Sequence, residues 1–262
     1  MTKIFLTGVT GYIAGDALAT LFAKHPNFSF SALVRTTGKA EQVKAQYPNI
    51  RIVLGDLGNS APLERESAAA DIVLHASDHA GAAKAIAAGL VAGHTKENPG
   101  YWLHTGGTGI LTFAATAVEA GAHVRNAVDR SMRQSLWNNV HIHDLSDVYS
   151  LLVDAAIAGR TDDGLWGAGA YYLTENMEHV WGELAQQTVD SATRLGYLPE
   201  VKAEPIDLDS AKRYAGFESL SWGMNSRGRA RRARKILGWN PSRPSLVAEL
   251  PAIVQSEWQA LQ

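Results

Sequence analysis

Nine residues near the amino terminus carry the densest signal for chemistry: Thr7-Gly8-Val9-Thr10-Gly11-Tyr12-Ile13-Ala14-Gly15. They follow the aliphatic run Lys3–Thr7 and open a helical stretch that continues to about Lys24. Gly8 permits a tight turn, Gly11 lets the backbone approach a pyrophosphate, and the small Ala14-Gly15 pair allows a helix to lie close on a sheet. The first turn of such a helix offers unpaired N–H groups and the positive end of its dipole. Thr10, Tyr12 and Ile13 therefore stand where the phosphates of a dinucleotide would bind.

Three further positions can complete such a site. The second aliphatic run ends in Leu33-Val34-Arg35, where an acidic residue usually meets the adenosine ribose. A guanidinium pairs instead with a 2′-phosphate and stacks on adenine, so the expected cofactor is NADP(H) in preference to NAD(H). Gly55-Asp56-Leu57 follows the third run and is placed to meet the adenine; His75-Ala76-Ser77 ends the fourth, where the nicotinamide ribose would lie. His79, beside Asp78 at that same end, is a titratable candidate for acid/base work because histidine titrates near neutrality.

Other clusters carry less. His75-x-x-x-His79 spans a strand end and a loop rather than one helix face, and His141 and His143, which share a face of an expected strand beside Asp144, suit lobe packing or a substrate pocket, so no metal is expected. The run Arg227-Gly-Arg-Ala-Arg-Arg-Ala-Arg-Lys235 alternates with small residues and lacks interleaved aromatics, which fits a solvated helix face rather than nucleic acid binding. Trp137, Trp166, Trp181 and Trp222 suit either the core or an apolar substrate pocket.

These residues need a scaffold, and the composition supplies one. The 262 residues are 46% hydrophobic and 19% charged with a net charge of −2, as in an ordinary globular protein rather than a polyelectrolyte that grips nucleic acid or an anionic membrane. There is no cysteine, which excludes disulfides and thiolate chemistry and points to a reducing, cytoplasmic setting. No apolar run reaches the ~18–20 residues of a membrane span. Aliphatic runs at Lys3–Thr7, Phe28–Arg35, Ile50–Leu54, Asp71–Ala76 and Tyr101–Thr105 alternate with helix formers, the pattern of a doubly wound parallel α/β sheet of Rossmann type. Beyond it the spacing predicts a helix from Thr112 to about Asn126, a strand Val140–His143 and a helix Leu145–Ala158. A strand Ala170–Leu173, a helix Asn176–Leu195, an Arg-rich helix from about Ser226 and a last helix from Ser245 complete the expectation. The expected domains are 1–136, a dinucleotide-binding domain, and 137–262, a small and mostly helical substrate lobe.

The glycine loop, Gly55-Asp56-Leu57, the element Asn139-Val140-His141-Ile142-His143-Asp144-Leu145 and Ala233-Arg234-Lys235-Ile236-Leu237-Gly238-Trp239-Asn240-Pro241 together resemble the extended short-chain dehydrogenase/reductases, in their epimerase/dehydratase and dihydroflavonol-reductase-like branch. The resemblance covers residues 1–111 and 138–262. It implies a serine or threonine after strand five, a Tyr-x-x-x-Lys pair on the next helix, and a homodimer. The chain departs from the catalytic set: none of its eight tyrosines is followed four residues later by lysine, and Gly106 aligns with the family's serine. Thr105 and Thr108 are the hydroxyls left nearby. Only 26 residues separate Leu111 from Asn138, too few for the helix, strand and loop the family places there. What the resemblance implies is an atypical NADP(H)-dependent oxidoreductase, isomerase or dehydratase acting on a small carbonyl or hydroxyl compound, apolar or aromatic in character. The alternatives are a dinucleotide-sensing regulator without chemistry and a scaffold repurposed for a cofactor-independent reaction.

Overall fold

The computed structural model describes residues 1–77, 79–107, 136–215 and 225–262. Five parallel strands, β1 (Lys3–Thr7), β2 (Ser29–Val34), β3 (Arg51–Leu54), β4 (Ile72–His75) and β5 (Tyr101–His104), form one sheet in the order β3-β2-β1-β4-β5. Every strand expected in this half is present, trimmed by a residue at some ends. Beyond Lys3, β1 is buried throughout, as is all of β4, which is why both read as continuous aliphatic runs rather than alternating ones.

The crossovers are α1 (Tyr12–Lys24), α2 (Thr37–Gln46), α3 (Ser60–Ala69) and α4 (Ala80–Gly93). With β1 central and the order reversing beside it, right-handed crossovers put α1 and α2 on one face and α3 and α4 on the other, a doubly wound sheet. Phe5, Leu33, Val53 and Val73 face Leu63, Ala82, Ala85 and Ile86 in the core on the second face. The Thr36 hydroxyl caps α2 by accepting from the Lys39 N–H at 3.4 Å. A further helix, α5 (Ile142–Ile157), packs on α1 in the same compact unit, which consists of residues 1–107, 142–171 and 233–240. The short α8 (Arg231–Leu237) leads Trp239 into this unit, where the indole N–H donates to the Asp144 carbonyl at 2.8 Å.

The second unit comprises the described parts of 108–141, 172–232 and 241–262. Its two-stranded antiparallel sheet pairs β6 (Leu136–Asn139) with β7 (Met177–Val180), and its helices are α6 (Trp181–Arg194), α7 (Leu208–Ala215) and α9 (Leu246–Ala260). The chain thus returns to the first unit after position 137 more than once.

Several expectations for the second half are corrected. The strand lies at Leu136–Asn139 rather than Val140–His143, and His143 stands in α5. The Leu145 helix starts three residues earlier because Ile142 and Asp144 already belong to its first turn. Residues 170–173 are irregular, the strand falling at Met177–Val180, and the helix expected from Asn176 begins only at Trp181. Ser226 pairs with Trp137 as a β-bridge, so the Arg-rich helix begins at Arg231. The expected helix from Thr112 to Asn126 lies outside the described residues.

Candidate functional site at the carboxyl end of the sheet

The turn after β1 is shaped by Gly8, which adopts φ +81°; a Cβ there would stand 2.9 Å from the Ala76 carbonyl. An L-residue at that φ is strained, and the contact leaves no room for one, so the β1 turn can lie against the end of β4 only with glycine. Gly11 donates to the Gly8 carbonyl at 2.8 Å and then caps α1, where no side chain among the described residues hydrogen-bonds the helix start. The first intrahelical donor is Gly15, bonding to Gly11 at 3.0 Å. The N–H groups of Tyr12, Ile13 and Ala14 precede it and point out of the helix end. Thr10 and Tyr12 are exposed and Ile13 half-buried.

Arg35 lies two residues beyond Leu33, which pairs with Thr7, so it stands next to the glycine turn. It is exposed and has no hydrogen-bond or ion-pair partner among the described residues. Asp56 closes its own loop by accepting from the Gly58 N–H at 2.8 Å, and Leu57 packs on the core beneath. Ala76 and Ser77 are half-buried at the end of β4.

Two of the sequence candidates have structural duties. His75 is fully buried; its Nδ1 is hydrogen-bonded to the Thr7 hydroxyl at 2.6 Å and its ring stacks on His104 at 5.1 Å. Burial above all, with His104 and His79 adding repulsion, pushes its pKa down to about 4, so it is neutral at physiological pH. Any contact it makes with a ligand runs through its backbone. His79 caps α4, its Nδ1 accepting from the Ala82 N–H at 3.0 Å while the ring stays exposed. Thr108 lies outside the described residues.

Thr105 is the candidate that the fold enriches. Its N–H donates to the His75 carbonyl at 2.9 Å, continuing the β5 register, and its Oγ1 is hydrogen-bonded to the Tyr149 hydroxyl. Tyr149 projects from α5 and is buried; burial raises its pKa, and the Thr105 hydroxyl only partly offsets this. Sequence reasoning passed over Tyr149 because it searched for a lysine four residues on, where Val153 stands. The only sequence signal is a lone hydroxyl-bearing ring on the apolar face of an amphipathic helix.

The histidines of the second half part company: His141 meets Glu249 at 3.2 Å and His143 meets Asp16 at 2.7 Å. Among the described residues, no group of three or more potential ligands is placed to hold a metal ion. Arg229 meets Glu178 at 2.9 Å, Arg227 lies 3.7 Å from the same carboxylate, and Arg234 sits over the Trp239 ring at 5.2 Å. Within the described residues no helix is long and apolar enough to cross a membrane.

A five-stranded parallel sheet in this order, with a glycine turn under the first helix, defines the NAD(P)-binding Rossmann class of α/β protein. The comparisons narrow it. A curated fungal protein from Acremonium sp., the oxidase ucsJ, is 33% identical over an alignment of 344 positions that takes in 99% of this chain and 98% of that one. Since this chain has 262 residues, more than eighty of those positions face a gap in it. The Citrobacter sp. triphenylmethane reductase shares the fold with a TM-score of 0.64 at 15% identity, covering 97% of this chain and 99% of its own. Gre2 from Candida albicans does so with a TM-score of 0.62 at 11% identity over 100% of both chains. No protein-family model matches the chain. The chain belongs to the family of the Acremonium oxidase ucsJ, and its fold is the one the NAD(P)-binding reductases share.

Proposed function

We propose that the protein is an NADP(H)-dependent oxidoreductase that acts on a small carbonyl or hydroxyl compound. The observation that carries the reading is Arg35, an exposed guanidinium without a partner among the described residues and next to the glycine turn, where a dinucleotide's adenosine 2′-position falls in this fold. The residues present fit the group. Gly8 and Gly11 form the tight turn that leads into α1, the N–H groups of Tyr12, Ile13 and Ala14 have no partner among the described residues and can hold a pyrophosphate, and Arg35 supplies the charge a 2′-phosphate needs. When bound, a reduced nicotinamide supplies a hydride. The chain's own part is to orient the substrate: Thr105, whose N–H bonds to the His75 carbonyl, offers a hydroxyl at the end of β5. The Citrobacter reductase and the Candida Gre2 were solved with NADP(H) and NADPH, and the curated relative is named an oxidase, which favours redox chemistry over dehydration or isomerisation.

A titration of the purified protein with NADPH and NADH, read by nicotinamide fluorescence and calorimetry, tests this. NADPH is expected to bind at least ~10-fold more tightly than NADH, a difference of ~1.4 kcal/mol, and Arg35→Asp is expected to abolish the preference. Equal affinities, or a preference that survives Arg35→Asp, would overturn the assignment of Arg35. NADPH binding without turnover of any carbonyl probe would return the chain to the role of a dinucleotide sensor.

A further inference from the structure

We propose that Tyr149 positions the Thr105 hydroxyl so that Thr105 donates a hydrogen bond to the oxygen of a carbonyl substrate. The proposal rests on the oxidoreductase reading above and extends it to a residue that belongs to none of the family-like motifs.

Counting hydrogens decides the direction of the bond. Two hydroxyls share one hydrogen bond, which uses one of their two hydrogens. Tyr149 is 6% exposed, and Thr105 Oγ1 is its hydrogen-bond partner among the described residues, so a Tyr149 hydrogen not given to Thr105 would be a buried donor left unmade. The phenol is also the more acidic hydroxyl and hence the better donor. Tyr149 therefore donates and Thr105 accepts. Thr105 keeps its own hydrogen, and accepting a bond strengthens it as a donor in turn. Thr105 is half-buried rather than sealed, so that hydrogen is available to a ligand.

Both partners are held by independent contacts. Thr105 is fixed by its N–H bond to His75, which also sets it beside Ala76 at the end of the sheet that carries Gly8. Tyr149 is flanked on α5 by Ser146, which donates to Asp16 at 2.5 Å, and by Ser150, which accepts from Lys24 at 2.9 Å. With α5 tied to α1 on both sides of it, the ring reaches Thr105 without depending on that contact for its place. Tyr149 is not suited to surrender its proton itself, because burial raises its pKa and, among the described residues, no lysine or arginine is hydrogen-bonded to it to hold a phenolate. It acts through Thr105.

Raman difference spectra of wild type against Tyr149→Phe test the bond direction with no substrate at all. The tyrosine doublet is expected to show a phenol that donates; a phenol that only accepts would overturn the proposal. NADPH oxidation with benzaldehyde and phenanthrenequinone as probes then tests the consequence. Thr105→Val and Tyr149→Phe are each expected to lower kcat by roughly 10²-fold, the low end for loss of one donor to a developing oxyanion. KM and NADPH affinity should stay within about threefold, Thr105→Ser should retain activity, and the double variant should fall no further than the worse single one, since the pair acts as a unit. Tyr149→Phe with unchanged kcat, or additive losses, would overturn the proposal while leaving the oxidoreductase reading intact. Wild type that binds NADPH yet oxidises it with neither probe would overturn both.

Discussion

His75 gives the structure a pH-dependent stability whose size can be worked out in advance. Its imidazole is fully buried, and burial with the nearby His104 and His79 pushes its pKa from 6.5 down to about 4. The unfolded chain takes up this proton near pH 6.5, whereas the folded one resists until about pH 4. Between those values the unfolded state binds more protons, so the contribution is fully present above pH 6.5 and is lost as the pH falls toward 4. The shift is worth about 3 kcal/mol, at about 1.4 kcal/mol per unit. Wild type and His75→Asn, whose amide can take the Nδ1 place opposite Thr7, would be unfolded in urea at a series of pH values. The other titrating groups are common to both and cancel in the difference. The wild-type advantage should shrink on acidification across that window by an amount of this order. A flat difference curve, or one that rises on acidification, would refute the picture of a buried neutral imidazole.

Gly8→Ala should cost roughly 1–3 kcal/mol of stability, because φ +81° and a carbonyl 2.9 Å from the new Cβ must both be accommodated; a thermal melt equal to wild type would show that the turn has slack. The same variant should weaken NADPH binding, read by the fluorescence titration. Glu66, 5% exposed, accepts from Arg51 and Arg65; burial pushes its carboxyl up, but the two guanidiniums more than offset this and leave its pKa lowered. Its stabilisation is therefore present at neutral pH and lost as the pH falls through that lowered value. Glu66→Gln should cost about 1–3 kcal/mol at pH 7, and chemical denaturation that finds no loss would place the ion pair in solvent.

The sheet half of the fold was legible because its information is local. A parallel strand buried on both faces writes itself as an unbroken aliphatic run, and Gly8 marks a turn where the φ and the Ala76 carbonyl exclude a side chain. The carboxyl-end residues Arg35, Asp56 and Ala76 followed from strand ends alone. The second half was misread where short polar strands met helices. Leu136–Asn139 carries two asparagines, and its pairing with Met177–Val180 is set by a partner some forty residues away. His79 caps α4 through Nδ1, and a histidine in a loop before a helix reads the same in sequence whether it caps or titrates, so its type and place alone do not separate the two uses.

Tyr149 shows what spacing cannot reveal, and α5 explains why. On α1, Asp16 and Lys24 lie eight residues apart, about 12 Å along the axis at the α-helical rise. Asp16 meets His143 and Ser146, and Lys24 meets Ser150 and Asp154, so contacts on α5 advance in the same direction. The two helices therefore run parallel and lock in register through a polar ladder. That ladder fixes α5 lengthwise to the helix whose first turn holds the candidate phosphate site. Tyr149, one residue before Ser150, is carried to the end of β5 by the same register. A shift of α5 by one turn would break the ladder and withdraw the phenol from Thr105 together. Through α5 the glycine turn and the Thr105 hydroxyl become parts of one rigid arrangement, although no motif in the chain joins them.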